Sequence, residues 1–350
     1  MKGIRTIALL ATALGATQLL SQASPLAGYA IYLDQDFFIP AKNEDRDYTM
    51  GFGIEWFWDS EPQTMGFLDK SLEAINDRVG PKNVGSSFQK SLMFGSLTFT
   101  PEDLANPSPI FNDRPYASLL YLSGKRISIR KGDDANAESK RDSIVGSEFL
   151  VGLLGSGFSE YFQTEFHQAY RSVSNTDEPV DPLGWENQIS EGGEPTLRYR
   201  MTFGQEWIDE QWYDLSYATD LNIGFQTNVS LGAQIRIGKR QSGFWTLPYD
   251  PVNRGSFIPD SRQNEFYLWG AYRARLVGYD ALIQGQFRDS EVSFSSSNIE
   301  RLVHESGIGV TCGQPKFQLS VSASYKSPEL KRAIERSHFW GTIAFVWHLD

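Results

Sequence analysis

Phe317-Gln318-Leu319-Ser320-Val321-Ser322-Ala323-Ser324-Tyr325 alternates apolar and small polar residues without a break. Side chains of a strand point to opposite faces in turn. One face therefore carries Phe317, Leu319, Val321, Ala323 and Tyr325, and the other only Gln and Ser. The same pattern recurs outward from this stretch. Val229, Leu231, Ala233, Ile235 and Ile237 alternate with Ser230, Gly232, Gln234 and Arg236. Leu197, Tyr199, Met201 and Phe203 alternate with Arg198, Arg200 and Thr202. Met50, Phe52, Ile54, Trp56 and Trp58 oppose Thr49, Gly51, Gly53 and Glu55. The last run puts Phe339, Gly341, Ile343, Phe345, Trp347 and Leu349 on one face. No helical pattern is interleaved, so the class is all-β and antiparallel.

Two architectures share this pattern. A soluble sandwich turns its apolar faces inward; a transmembrane barrel turns them to lipid and keeps a polar interior. Alternation over about ten residues exceeds the usual sandwich strand and favours the barrel. Trp56, Trp58, Trp269, Trp340 and Trp347 stand near strand ends, as in interfacial girdles. Long polar connections at 61–86, 131–141, 156–193, 243–263 and 290–300 suit a barrel with one elaborated rim. The run 263–276 alternates too poorly for its facing to be assigned, and 279–288 reads as strand or extended loop.

The first residues read as a secretory signal. Lys2 and Arg5 precede an apolar run at 7–20, and Ser21-Gln22-Ala23 fits small-x-small cleavage. The expected division is a signal peptide at 1–23 and a single barrel domain at 24–350. No later run is apolar and long enough for a membrane helix. A net charge of -11 argues against nucleic acid, whose phosphates need excess Lys and Arg. The one cysteine, Cys312, allows no intramolecular disulfide and no cysteine metal cluster; a buried structural role is expected.

Residues with chemistry concentrate in two places. The run from Glu160 to Gln168 lacks Gly and Pro, which suits one or two helical turns. Gln163 and His167 would then share one face. Histidine is the side chain suited to accept a proton near neutral pH; the competing reading is a rim histidine without chemistry. Elsewhere, the strand from Gly28 to Asp36 has the apolar set Tyr29, Ile31 and Leu33, so Asp34 and Asp36 are expected on the lumenal face. Thr49 is expected there by the same test. The short connection 41–47 makes these strands an antiparallel pair and brings Asp36 near Thr49. Carboxylate and hydroxyl oxygens in a confined polar space suit a hard cation such as Ca²⁺; the competing reading is lumenal packing or an Asx turn. Asp45-Arg46-Asp47-Tyr48 and Asn112-Asp113-Arg114-Pro115-Tyr116 read as Asp–Arg braces at loop bases. No Ser-centred nucleophile motif is present, which favours direct attack by water.

Taken together these pieces resemble one family. Asp36-Phe37-Phe38 with Asp45-Arg46-Asp47-Tyr48-Thr49-x-Gly51 is similar to its opening motif. Thr100-Pro101-Glu102-Asp103 with Asp113-Arg114-Pro115-Tyr116-Ala117 is similar to its second. Gln163-x-x-x-His167, Gly184-Trp185-x-x-Gln188 and Glu194-Pro195 are similar to its third. The family is the outer-membrane lipid A 3'-O-deacylases, LpxR. The resemblance implies a twelve-stranded barrel in the outer membrane of a Gram-negative bacterium, expected to be a monomer. It implies a Ca²⁺-dependent esterase that removes the 3'-linked acyloxyacyl group of lipid A in lipopolysaccharide. His167 would be the general base, Asp36 and Thr49 would fall on the active-site aspartate and hydroxyl, and Gln163 would orient base or substrate. Two departures stand out: Gln35 replaces an expected Asn, and 102–112 lacks an expected lysine. A further acidic residue is not assigned among Asp177, Glu178 and Asp181. Alternatives are an outer-membrane esterase or phospholipase of other specificity, or a non-enzymatic structural barrel.

Overall fold

Twelve antiparallel strands close on themselves, each paired with its neighbours in sequence and β1 with β12. They are β1 Gly28–Gln35, β2 Asp47–Trp58, β3 Ser87–Thr100, β4 Ala117–Arg130, β5 Ser143–Leu154 and β6 Glu194–Asp209, followed by β7 Tyr213–Gly224, β8 Gln226–Lys239, β9 Glu265–Asp280, β10 Leu302–Gln314, β11 Phe317–Lys326 and β12 His338–His348. This computed structural model describes residues 26–38, 46–58, 66–79, 87–132, 141–174, 179–245, 263–331 and 336–349. The expected signal segment, 1–23, lies outside them.

The alternation settles the choice of architecture. Leu197, Leu231, Leu268 and Ile308 point outward and are 54%, 60%, 56% and 69% exposed. No second sheet covers them among the described residues. An apolar wall of this extent needs hydrocarbon as its solvent. The inward rows are polar, and charges there are paired, as a poorly solvated interior requires. Lys125 bonds Glu55 at 3.1 Å, Arg200 bonds Asp220 at 2.8 Å and Arg275 bonds Glu305 at 3.0 Å. Arg198, 0% exposed, reaches Glu148. Side chains lining a water-filled channel would be accessible to water; these are not.

Several expectations change. Trp269 and Trp340 belong to the inward rows, not to a girdle: Trp340 packs edge-on against Tyr48, and Trp269 lies over Gly307 and Gly309. A Cβ at Gly309 would stand 2.6 Å from that indole. Aromatics in the lumen are also why 263–276 alternated poorly. β9 runs to Asp280 and turns into a short helix, Ala281–Gln284. Cys312 is exposed rather than buried, because it falls on the outward row of β10. Elaborated connections occur at both ends of the barrel rather than on one rim. The β2–β3 connection, on the end that carries both termini, holds helix α1, Gly66–Val79. The β5–β6 connection, on the opposite rim, holds α2, Phe158–Ser174.

Both long helices lie against the outer wall. Asp69 of α1 binds Lys90 at 2.5 Å and Arg126 at 2.9 Å, both from outward rows, and Asn76 donates to the carbonyls of Arg126 and Val145. At the rim, loops are tied by charge as the two Asp–Arg motifs suggested, but the partners come from elsewhere. Arg336 grips Asp47 and Asp113 together, and Arg114 pairs with Glu329 at 2.6 Å. Burial works against the charge of Glu329, yet Lys326, Arg114 and His338 outweigh it and hold its carboxyl below the usual range.

Gly51 of the opening motif has a steric cause. The Tyr48 ring folds over it to donate from Oη to Asp34 at 2.5 Å, and a Cβ at residue 51 would sit 1.8 Å from that oxygen. Gly51→Ala is expected to break this buried bond at a cost of about 1–3 kcal/mol. A lowered midpoint of thermal unfolding, followed by heat-modified gel mobility, checks it. The packed lumen carries a second expectation: purified protein in planar bilayers shows no single-channel conductance.

Candidate functional site on the outer wall

The site begins with a β-bulge. Tyr48 and Met50 face Phe99 and Thr98 in succession on β3, so Thr49 is the extra residue. Asp47, just before it, has φ 65, a left-handed conformation that Asp tolerates better than most residues. Bulges re-aim side chains. Here the bulge turns Thr49 out of the lumenal row, so that its hydroxyl meets that of Thr100 at 2.6 Å. Thr100, Thr98 and Ser96 form one outward row, alternating with the inward Phe99 and Leu97. The lumenal placement of Thr49 is thus overturned: it lies on the outer side.

Asp36 is expected to lie near Thr49, and the register supports this. β1 and β2 pair as Gln35↔Met50, so the next step along β1 lies beside Thr49. The strand ends at Gln35, however, and Asp36–Phe38 is a 3-10 turn. Alternation stops there, which removes the argument that put Asp36 on the lumenal face. Its side chain is 3% exposed.

Helix α2 supplies the other half. It is longer than the one or two turns expected. Ser159, Gln163 and His167 recur every fourth residue, share a face, and are each 1% exposed. Thr98 donates to Ser159 at 2.9 Å, and Ser96 lies 3.4 Å from the same oxygen. These contacts clamp the polar face of the helix onto hydroxyls of the barrel wall. The sequence reading missed Ser96, Thr98, Thr100 and Ser159. A signal was present: hydroxyls at alternate positions in a row that begins with Phe88, Lys90, Leu92 and Phe94.

The segment that follows α2 orients both of its key side chains. His167 Nδ1 lies 2.6 Å from the Val180 carbonyl. A carbonyl only accepts, so Nδ1 carries the proton and Nε2 is the acceptor nitrogen of the neutral ring. Trp185 Nε1 donates to Gln163 Oε1 at 3.2 Å. An indole only donates, which fixes the amide with its NH₂ group turned the other way. That Nε2 is buried and has no hydrogen-bond partner among the described residues. The Gly-Trp-x-x-Gln motif therefore has a structural account. Trp185 packs on Tyr116 with ring centroids 4.8 Å apart, a Cβ at Gly184 would stand 2.6 Å from Tyr116, and Gln188 accepts from Ser118. Glu194 caps the far loop by accepting from Ser190 and from the amides of Phe287 and Arg288. Of the three acidic candidates, Asp181 bonds Arg171, while Asp177 and Glu178 lie outside the described residues.

Among the described residues no three His, Cys, Asp or Glu side chains are placed to hold a metal ion together. The donors at the bulge are nonetheless hard oxygens, the Asp36 carboxylate and the Thr49 hydroxyl, which suit Ca²⁺ in kind. Their small number means that water, backbone or a bound ligand would have to complete the shell.

Comparison with known proteins agrees with this architecture. A family model described as "Outer membrane protein LpxR" matches residues 6–349. No curated protein sequence matches the chain. LpxR from Salmonella typhimurium superposes with a TM-score of 0.65 at 14% identity, covering 92% of this chain and 100% of that one. The β domain of the Bordetella autotransporter BrkA, at TM-score 0.42 and 9% identity over 93% of this chain and 100% of that one, is too distant to carry an argument. So is the KdgM porin, at 0.35 and 6% over 92% and 99%. With a twelve-stranded barrel, an apolar outer wall and a family match over nearly its whole length, the chain belongs to the LpxR family of outer membrane proteins.

Proposed function

We propose that this protein is an outer-membrane esterase that hydrolyses the 3'-linked acyloxyacyl ester of lipid A, with His167 as general base. The observation that carries the reading is a buried imidazole of fixed tautomer, on the face of α2 whose Ser159 meets an outward hydroxyl row of the barrel wall. A lipid ester reaches such a notch from the bilayer without entering the lumen.

The chemistry follows from the side chains. His167 Nε2 accepts a proton from water as its oxygen attacks the ester carbonyl carbon. The Gln163 NH₂ group is a buried donor that costs about 1–3 kcal/mol while it lacks a partner; the carbonyl oxygen, and the oxyanion it becomes, supplies one. Collapse of the tetrahedral intermediate releases the sugar alkoxide, which takes the proton back from His167, and leaves a carboxylic acid. Ser159 is no nucleophile for this base: eight residues of helix separate the two by roughly 12 Å. Asp36 and Thr49 are the residues that would hold Ca²⁺. When bound, the ion would supply positive charge toward the developing oxyanion.

Four outcomes are expected when acyl release from lipid A is followed by mass spectrometry. His167→Ala loses acyl release while the barrel still inserts. Gln163→Ala lowers kcat/KM about 10²–10³-fold, the usual loss for one oxyanion donor. Chelation of Ca²⁺ stops release by the wild type, and Asp36→Asn raises the Ca²⁺ concentration needed for half-maximal rate. Acyl loss from glycerophospholipid with lipid A intact would replace this reading by a phospholipase.

A further inference from the structure

The polar stripe of α2 has an aromatic companion. Phe158, Phe162 and Phe166 also recur every fourth residue, one position before Ser159, Gln163 and His167. That places them about 100° around the helix, along the flank where it meets the wall. Phe166 lies beside the candidate base, ring centroids 6.5 Å apart. Phe158 stacks on Phe162 at 6.2 Å and 17°, and Phe162 stacks on Phe52 of β2 at 6.5 Å and 17°. Phe52 meets Phe94 of β3 edge-on at 6.0 Å. Phe52 and Phe94 belong to outward rows, and Phe94 is four residues further from the rim than Thr98, roughly 13 Å along the strand. All five rings are half-buried, so each keeps an accessible side.

We infer that this row is the seat of the substrate's acyl chain. The statement rests on the ester-hydrolase reading and adds where the chain lies and which residues select its length. Two facts fix the occupant. The row starts at the polar notch, so a ligand along it has a polar group at one end. It then merges with the membrane belt through Leu92 and Ile54, which pack in the same cluster as Phe52 and Phe94. A molecule polar at one end and otherwise apolar, entering sideways from the bilayer, is an acyl ester. A carbonyl at Gln163 and His167 leaves its first methylenes against Phe166 and Phe162 and the later ones against Phe52 and Phe94. Rings stacked on one another hold a straight groove with little side-chain entropy to lose, which suits a saturated chain.

Two measurements test this on the full chain. The first uses wild-type protein in proteoliposomes with lipid A that carries a diazirine in its acyl chain. Adducts mapped by mass spectrometry are expected on Phe52, Phe94 and Phe162 at least tenfold above Leu231 and Ile308 on the opposite wall. Even labelling around the belt overturns the inference. The second compares kcat/KM for a long-chain and a short-chain ester. Phe162→Ala and Phe52→Ala are expected to lower the long-to-short ratio about tenfold, the low end of what an apolar wall discriminates. Phe162→Leu restores most of it, and Ile308→Ala does not change it. An unchanged ratio in both alanine variants, with insertion intact, also overturns it. If adducts concentrate on the row but the wild type releases no acyl chain from lipid A, the chain seat stands and the hydrolase reading falls.

Discussion

A hydroxyl that faces lipid must find a partner, and that constraint organises this molecule. Hydrocarbon offers no hydrogen bonds, so Ser96, Thr98 and Thr100 in an outward row would each carry a desolvation penalty. Helix α2 removes it. Its Ser159 meets Ser96 and Thr98, and the bulge swings Thr49 round to Thr100. Once the helix is seated, Gln163 and His167 are shut between it and the wall, and the segment around Val180 and Trp185 locks their orientation. The site is in this sense a by-product of making a polar band tolerable in a membrane wall.

The same economy of partners governs the interior. Ion pairs link β2 to β4, β6 to β7 and β9 to β10 across the lumen face. They have no need to be strong, because burial cost and attraction nearly cancel. What they do is exclude alternatives: slipping one of these strands by one residue would throw a charge into lipid. At the rim, Arg336 plays the matching role for loops by binding Asp47 and Asp113 at once.

Much of this was legible in the sequence, and the rest failed for physical reasons. Period two is a local property, so the strands, their outward apolar sets and the pairing of β1 with β2 could be read directly. The helical face shared by Gln163 and His167 could be read for the same cause. Thr49 could not, because a bulge is invisible to strict alternation: one inserted residue moves a side chain to the other surface. The facing of Asp36 could not be read from alternation either, because the strand gives way there to a 3-10 turn. Trp269 and Trp340 were misplaced because a tryptophan suits both a lipid interface and a tight lumen. Arg336 stayed hidden because its partners lie more than two hundred residues away in the chain.

The two long helices have a joint consequence for the lipid around the barrel. α1 covers β3 to β5 near the end with the termini, and α2 covers β2 and β3 near the rim. On this side the bare apolar height is trimmed from both ends, while among the described residues no helix covers the wall from β7 to β10. A bilayer matched to one side is too thick for the other. A membrane that meets this mismatch by thinning would do so beside the two helices, bringing head groups and the esters just beneath them toward the notch. In the proposed reaction, that asymmetry would lower the work of lifting a lipid ester into place, before any residue of the site touches it.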